Sequence, residues 1–267
     1  MVGLSLAIAL FGVGARFVVI ERGSLEDMAA ATFDGRGSAV SAGSQRILND
    51  MGLWGPLFSE ATAIIEIRVA DGSSPLFLHY DHRDMDQGPF GWIVENANIR
   101  PMLATEVSDR GLPVSEKAAL SAVQFYPSYA LLDLSDGRSV NAKLVVAADG
   151  RHSAMRKMAG IDAVSWSYPQ TGIVCAVQHE ISHGGIAHEH FLLSGPFAIL
   201  PMTRNRSSIV WAERNKLDDA SYLNRKPFTW HNSTGFKRWR HFYSNPDSDS
   251  LNAYSWVAAY DSTVKSG

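Results

Sequence analysis

Residues 143–160 read KLVVAADGRHSAMRKMAG, and their order decides the fold class. Leu144-Val145-Val146-Ala147-Ala148 is uniformly apolar, as in a strand buried on both faces. It runs into Asp149-Gly150, and a helix from about Ser153 to Met158 follows. Gly150 lets the backbone turn sharply and approach a ligand closely. Amides at the helix start favour phosphate. Asp149 can accept from a ribose hydroxyl, and Ser153 and Arg156 project about one turn apart. A plain strand-turn-helix in which Asp149 only caps the helix uses the same residues.

The N-terminal stretch MVGLSLAIALFGVGARFVVIER, residues 1–22, supplies a second part of the same pattern. From Gly3 it reads Gly-x-x-x-Ala, a small-residue helix, a Gly12/Gly14 turn, the apolar run Phe17-Val18-Val19-Ile20, and then Glu21. Small residues let a helix pack closely on a sheet, and an acid ending the next strand can bond a ribose hydroxyl. This is the back half of a dinucleotide-binding βαβ unit, with Gly3 as the third glycine of G-x-G-x-x-G and the first strand missing. A signal peptide fits less well: no Lys or Arg precedes the apolar run and no small-residue cleavage site follows it. The run before Arg16 is too short for a membrane span. An ordinary core helix and strand stays open.

Of the 267 residues, 46% are hydrophobic and 19% charged, with a net charge of -3. This balance allows a large core in one large or two modest domains and gives no reason to expect a nucleic-acid partner. The single cysteine, Cys175, excludes an internal disulfide. It lies in an apolar run, which suits a buried structural thiol in a reducing compartment.

Along the chain, SAGSQRILNDMGLW predicts a helix capped by Ser41 or Ser44 and ended by Gly52. Strands are expected at 63–70 and 76–80, a helix at 96–107, and strands at 130–134 and 140–148 around Ser135-Asp136-Gly137-Arg138, where Asp-Gly signals a hairpin. Beyond Trp166 the texture changes to strands at 173–178, 188–193, 197–202 and 208–212. The expected fold is α/β. A Rossmann-like FAD-binding domain, its first strand missing, is interleaved with a mostly antiparallel β-sheet substrate domain. The expected boundaries are 1–165 with an inserted strand segment at about 63–95, then 166–217, then a tail over 218–267.

Asp149-Gly150-x-x-Ser153-x-x-Arg156 resembles the second fingerprint of the class A flavoprotein monooxygenases. MVGLSLA, VVIER, DGRGSAVSAGSQRILNDMGLW, GWIVENANIR, HGGIAHEHFLLSGPFAILPM and SSIVWAE are similar to one branch of that family, the ubiquinone-biosynthesis hydroxylases of the 2-polyprenyl-6-methoxyphenol hydroxylase type. The resemblance covers Met1 to about Lys216. It implies that Gly3 is a phosphate-loop glycine, Glu21 the adenosine-ribose acid, and Arg36 an arginine at the start of the flavin site. Asn96 and Arg100 would be polar contacts from a helix start, and Asp149, Gly150, Ser153 and Arg156 would hold ribose and pyrophosphate. It implies FAD as cofactor, NAD(P)H as electron donor, and O₂ and a polyprenyl phenol as substrates. The flavin carries the oxygen chemistry, so no catalytic acid or base is assigned. A greasy substrate implies a cytoplasmic protein in peripheral contact with the inner membrane, beside other ubiquinone-biosynthesis enzymes. A flavin hydroxylase for another phenol and a catalytically inactive remnant are the alternatives.

The family's third fingerprint, a Gly-Asp near Ala-His-x-x-x-Pro, does not occur, and the pattern is lost after Leu223. A frame shift near Asn224 is the expectation, tested by reading the other frames of the coding DNA for a Gly-Asp-Ala-type continuation. Two other motifs compete. His179-Glu180-Ile181-Ser182-His183 fits the H-E-x-x-H zinc pattern, but follows a β-like run and meets Gly184-Gly185, which favours a hairpin turn. The run Phe236–Tyr243 mixes basic and aromatic residues as single-strand nucleic-acid binders do, and reads better as a solvated or out-of-frame segment. A central strand contributes about four buried side chains at roughly 1.5–3 kcal/mol each, against a domain's total of about 5–15 kcal/mol. Without it the chain is expected to fold poorly or bind flavin weakly. A broad calorimetric transition and sub-stoichiometric FAD are the expected readings, and a sharp transition with stoichiometric FAD would contradict them.

Overall fold

A computed structural model of the chain describes residues 1–30, 35–85 and 88–214. The tail over 218–267 and the run Phe236–Tyr243 lie outside the described residues. The fold is α/β, and the chain divides into two compact units.

The first unit comprises Met1–Thr32, Met51–Leu53 and Ile99–Trp166. Its opening helix, Val2–Gly12, buries Leu4, Ala7 and Ile8. The strand expected over 17–20 is ordered as strand only at Val19–Ile20, which pairs in parallel with Val114–Ser115. A three-stranded antiparallel sheet follows, made of Leu120–Phe125, Ala130–Leu134 and Ser139–Ala142. The Asp136-Gly137 turn joins the last two strands, with Gly137 at φ +84°.

One expectation fails here. The strand expected over 140–148 stops at Ala142, and residues 144–148 pair with no strand among the described residues. Leu144 is 78% exposed and Val146 55%. Their apolar run marks a propensity for burial, and burial needs a neighbouring ladder that this segment does not have.

The second unit comprises Phe33–Asp50, Trp54–Asn98 and Ser167–Gly267. The expected helix appears as Ala42–Asp50. The Ser41 hydroxyl accepts from the Ser44 amide at 3.2 Å, and Gly52 takes φ +76° beyond the helix end. A small antiparallel sheet places Gly91–Glu95 between Gly37–Ser41 and Ala61–Ile64. A larger sheet runs in the order Gln170–Gln178, Arg206–Arg214, Gly195–Met202, Ile186–Leu192, Glu66–Asp71, Phe77–Asp81. All its neighbours are antiparallel except Ile186–Leu192 with Glu66–Asp71.

The strand expected over 63–70 is therefore two strands in two sheets, divided at Ile65. The Ile65 amide donates to Gly185 O at 2.9 Å, and its carbonyl accepts from the His82 amide at 3.0 Å. Ile64, Ile93, Ala187 and Met202 bury together across the joint. On the other face of the larger sheet Cys175, Phe197, Ile199, Ile209 and Trp211 form a second cluster. Cys175 is the structural thiol expected, and burial pushes its pKa up to about 11.

Gly185 closes the joint at φ +70°, where a Cβ would lie 2.9 Å from Ile65 Cγ1 and 3.1 Å from Ala63 O. Gly72 also has positive φ, but a Cβ there meets nothing within 4 Å. Gly72→Ala should therefore cost only the left-handed backbone, about 1–2 kcal/mol. Gly185→Ala adds overpacking of roughly 1–3 kcal/mol. Urea midpoints of the two variants measure the difference, and equal costs would show that the joint relaxes freely.

Candidate functional site

The corner at Asp149-Gly150 is held by side chains rather than by a ladder. Asp149 Oδ1 accepts from the Ser153 hydroxyl at 2.5 Å, and Oδ2 accepts from the Met155 amide at 3.1 Å. The Ser153 hydroxyl oxygen in turn accepts from the Arg156 amide at 3.0 Å, which caps the short helix Ala154–Met158. Ser153 itself is buried. Gly150 makes the turn at φ +84°, and a Cβ on it would meet nothing within 4 Å. Burial raises the Asp149 pKa somewhat, but the Ser153 hydroxyl and the Met155 and Ala154 amides outweigh it and hold the carboxyl below its usual range.

This geometry modifies one expectation. Two of the helix-start amides, those of Met155 and Arg156, are turned onto Asp149 and Ser153 and are not free for phosphate. Ser153 and Met155 make the two well-formed hydrogen bonds to Asp149, the Ala154 amide approaches it more weakly, and a carboxylate offers about four acceptor sites. It can cap the helix and still accept from a ribose hydroxyl, so the cap and ligand readings of this residue are compatible.

Gly3 lies on the same corner: a Cβ on it would stand 3.2 Å from the Ala148 Cβ, so a larger residue would have to push Ala148 back by a few tenths of an ångström. Glu21 ends its strand, with its amide donating to Ser115 O at 3.0 Å and its carboxylate accepting from the Gly23 amide at 2.8 Å. In the second unit the Asn96 amide donates to Arg36 O at 3.0 Å, and the Ser38 hydroxyl donates to Asn96 Oδ1 at 2.6 Å. Arg100 stands one turn further along the helix Asn96–Asp109. The structure thus joins Gly3 to the Asp149 corner, and Arg36 to Asn96.

Residues outside the sequence reading complete both places. An open cleft of about 710 Å³ adjoins Gly150, Ser153 and Arg156 and is also bounded by Tyr126, Tyr129 and Lys143. The two tyrosine rings stack at 4.7 Å with an 18° angle between planes. The signal was present in Tyr126-Pro127-Ser128-Tyr129, a turn tetrapeptide between two strand-like runs. Beside Asn96, Glu95 is buried and ion-paired to Arg206.

The H-E-x-x-H residues form no helix. His179 Nδ1 contacts Ile181 O at 2.6 Å and its Nε2 contacts the Ser207 hydroxyl at 2.9 Å, so both ring nitrogens are engaged. Glu66, His79 and Asp81 bring three donor atoms within 4.8 Å of one another. Arg68 bonds Glu66 at 2.9 Å and Arg83 bonds Asp81 at 2.5 Å, so two guanidiniums already balance the carboxylates a cation would need. Among the described residues no helix is long and apolar enough to cross a membrane.

A family described as an FAD binding domain matches residues 1–231, beyond the point where the sequence pattern is lost. Ubiquinone hydroxylase UbiL of Rhodospirillum rubrum is 47% identical over 220 residues, 81% of this chain and 51% of that protein. The mitochondrial ubiquinone biosynthesis monooxygenase COQ6 of Mus musculus is 31% identical over 194 residues, 68% of this chain and 40% of that protein. The chain therefore spans about half the length of these relatives or less. Among solved structures, Klebsiella pneumoniae R204Q HpxO complexed with FAD superposes with a TM-score of 0.63 at 17% identity, over 79% of this chain and 54% of that one. At that identity the likeness is one of fold.

Ser153→Ala should destabilise the first unit by about 1 kcal/mol, the usual cost of a lost helix cap. Asp149 gives a pH signature. Its folded pKa is depressed, so its stabilisation is present above the unfolded value of about 4 and is lost as pH falls through the folded one. Asp149→Asn should flatten the acid limb of a urea-midpoint against pH curve, and an unchanged limb would show that the carboxylate network is not formed.

Proposed function

Because the chain belongs to the FAD binding domain family, we propose that it supplies the flavin-holding part of an NAD(P)H-using aromatic-ring hydroxylase. The substrate in this reading is a polyprenyl phenol of ubiquinone biosynthesis, the class to which the names of its relatives point. The observation that carries it is the Asp149–Ser153–Met155 network, with Gly3 packed against Ala148 beside it.

The residues present suit FAD. Asp149 keeps spare acceptor sites for a ribityl or ribose hydroxyl, and its depressed pKa keeps it ionised at neutral pH. Open space over Gly150 admits a ligand close to the backbone. Arg156 and Lys143 border the same cleft and can neutralise a pyrophosphate, replacing the two amides already used within the corner. Glu21 follows a strand end, where an acid can bond the adenosine ribose. Gly23 fixes its carboxylate by one hydrogen bond, leaving acceptor capacity. Arg36, Asn96 and Arg100 would position the flavin side, with Ser38 and the Glu95–Arg206 pair orienting Asn96. FAD, when bound, supplies reduction by NAD(P)H and oxygen transfer from O₂; the protein's part is to bind, orient and exclude water.

In this reading 1–165, with strands inserted at about 63–95, carry FAD, and 166–217 begin the substrate sheet. A polyprenyl substrate would bring the protein to the inner-membrane surface from the cytoplasm, near other enzymes of the same pathway. The test is a titration of the purified chain with FAD, followed by quenching of flavin fluorescence. Saturable binding that Asp149→Ala weakens about tenfold or more, one lost charged hydrogen bond, is expected. Binding indifferent to Asp149→Ala would overturn the site assignment.

A further inference from the structure

The H-E-x-x-H residues lie in the loop between Gln170–Gln178 and Ile186–Leu192, and its two imidazoles are held in opposite tautomers. His183 Nδ1 accepts from the Gly185 amide at 3.0 Å, so the ring proton is on Nε2, which donates to Met202 O at 2.9 Å. A carbonyl can only accept. His179 Nδ1 therefore donates to Ile181 O at 2.6 Å, and its Nε2 accepts from the Ser207 hydroxyl at 2.9 Å. The rings meet edge-to-face at 5.8 Å. Ser207 is buried, so its bond to His179 fastens the loop and offers no accessible nucleophile.

We propose that His179 and His183 form a proton-sensitive latch on the joint at Ile65, closed while both rings are neutral and released when His183 takes a proton. A protonated imidazole carries a hydrogen on each nitrogen. His183 then cannot accept from Gly185, and two N–H groups face each other. Gly185 is the residue whose carbonyl holds the Ile65 amide at 2.9 Å, so the break falls where the chain changes sheets. The hairpin that the latch fastens also carries Arg206, the partner of Glu95.

His179 has a different part. Its bonds to Ile181 O and Ser207 survive protonation, because both oxygens can accept. Burial first, and then the adjoining His183 ring, hold its pKa below the usual histidine value. A depressed folded value means that this stabilisation is present above about pH 6.5 and is lost as pH falls through the folded value.

The surroundings leave a proton on His183 unanswered. Among the described residues neither ring has an ion-pair partner. Glu180, between them, is exposed. On the hairpin Arg204 reaches Glu60 at 3.8 Å and Arg206 pairs with Glu95. Beside Ile65, Glu66 is bonded to Arg68 and His79. His82 Nδ1 donates to Ile65 O and keeps that bond when protonated. On the adjoining strand burial holds His188 down to about 4, so it stays neutral above about pH 5. Burial pushes Glu189 up, which favours the fold as pH falls and is opposite in sign.

The test is amide hydrogen exchange of the full chain, read residue by residue by NMR at about pH 7.5 and about pH 5.5 and corrected for intrinsic rates. Imidazole nitrogen-15 shifts at the higher pH should show His183 protonated on Nε2 and His179 on Nδ1. Protection of the Gly185 and Ile65 amides should fall about threefold to tenfold at the lower pH, the scale of one neutral hydrogen bond. Amides in the ladder between Gly195–Met202 and Arg206–Arg214 should keep theirs. His183→Asn should retain the protection and abolish its pH dependence, because a carboxamide oxygen accepts from Gly185 at either pH. His183→Ala should show low protection at both. Equal protection at both pH values, an equal loss throughout that ladder, or a pH dependence that survives His183→Asn would overturn the proposal. So would His183 protonated on Nδ1, which is read on the unsubstituted chain.

Discussion

The second unit depends on one residue that belongs to no strand. Ile65 separates Ala61–Ile64 from Glu66–Asp71, and the chain changes sheets across it. A break in a ladder ordinarily strands a buried donor and acceptor, each expensive to leave unpaired. Ile65 avoids this by giving its amide to Gly185 and its carbonyl to His82. The two sheets can then share the core of Ile64, Ile93, Ala187 and Met202. The Glu95–Arg206 pair spans the same pair of sheets and sits directly before Asn96. Thus a candidate flavin contact, Asn96, directly follows a residue that ties the two sheets together.

The Asp149 corner solves the same problem with side chains. Its strand segment has no ladder, so the turn is held by a carboxylate, a hydroxyl and two amides. That solution consumes amides that an unliganded reading would assign to phosphate. An anion at this corner would find its counter-charge in Arg156 and Lys143, the two cations that line an otherwise largely apolar cleft. Structural capping and ligand binding are not rival roles for Asp149, because a carboxylate has more acceptor sites than a cap requires.

Much of this was legible in the sequence where the signal is local. Asp136-Gly137 and the Ser41 cap depend on a few neighbouring residues, and each appears where its chemistry places it; at the later corner the sequence offered Asp149 as the cap, and Ser153 takes that position with Asp149 bonded to it. The strands beyond Trp166 were found to within three residues at either end. The division at Ile65 was invisible because ATAIIEIRVA is continuously β-prone, and what divides it is Gly185, far along the chain. Gly37–Ser41 went unread for the opposite reason: its small residues have little strand propensity and are strand only because Gly91–Glu95 pairs with them. The Glu95–Arg206 pair, like the cleft, is a long-range meeting with no local pattern. An H-E-x-x-H match carried no helix, since its spacing has meaning only on a helical face.

Two groups of exposed apolar residues differ in physical kind. Leu144 and Val146 belong to a segment without regular pairing, where apolar exposure accompanies unmade backbone bonds and measures how incompletely that region is packed. Leu76, Phe77, Leu78 and Tyr80 lie in or beside a strand that is fully paired on its inner edge, in a sheet with two buried clusters behind it. Their exposure cannot be traced to poor local order, because the backbone that carries them is ordered by Glu66–Asp71. The order of the sheet is thus what separates the exposure of Phe77–Asp81, carried on a paired strand, from that of residues 144–148, which no ladder holds among the described residues.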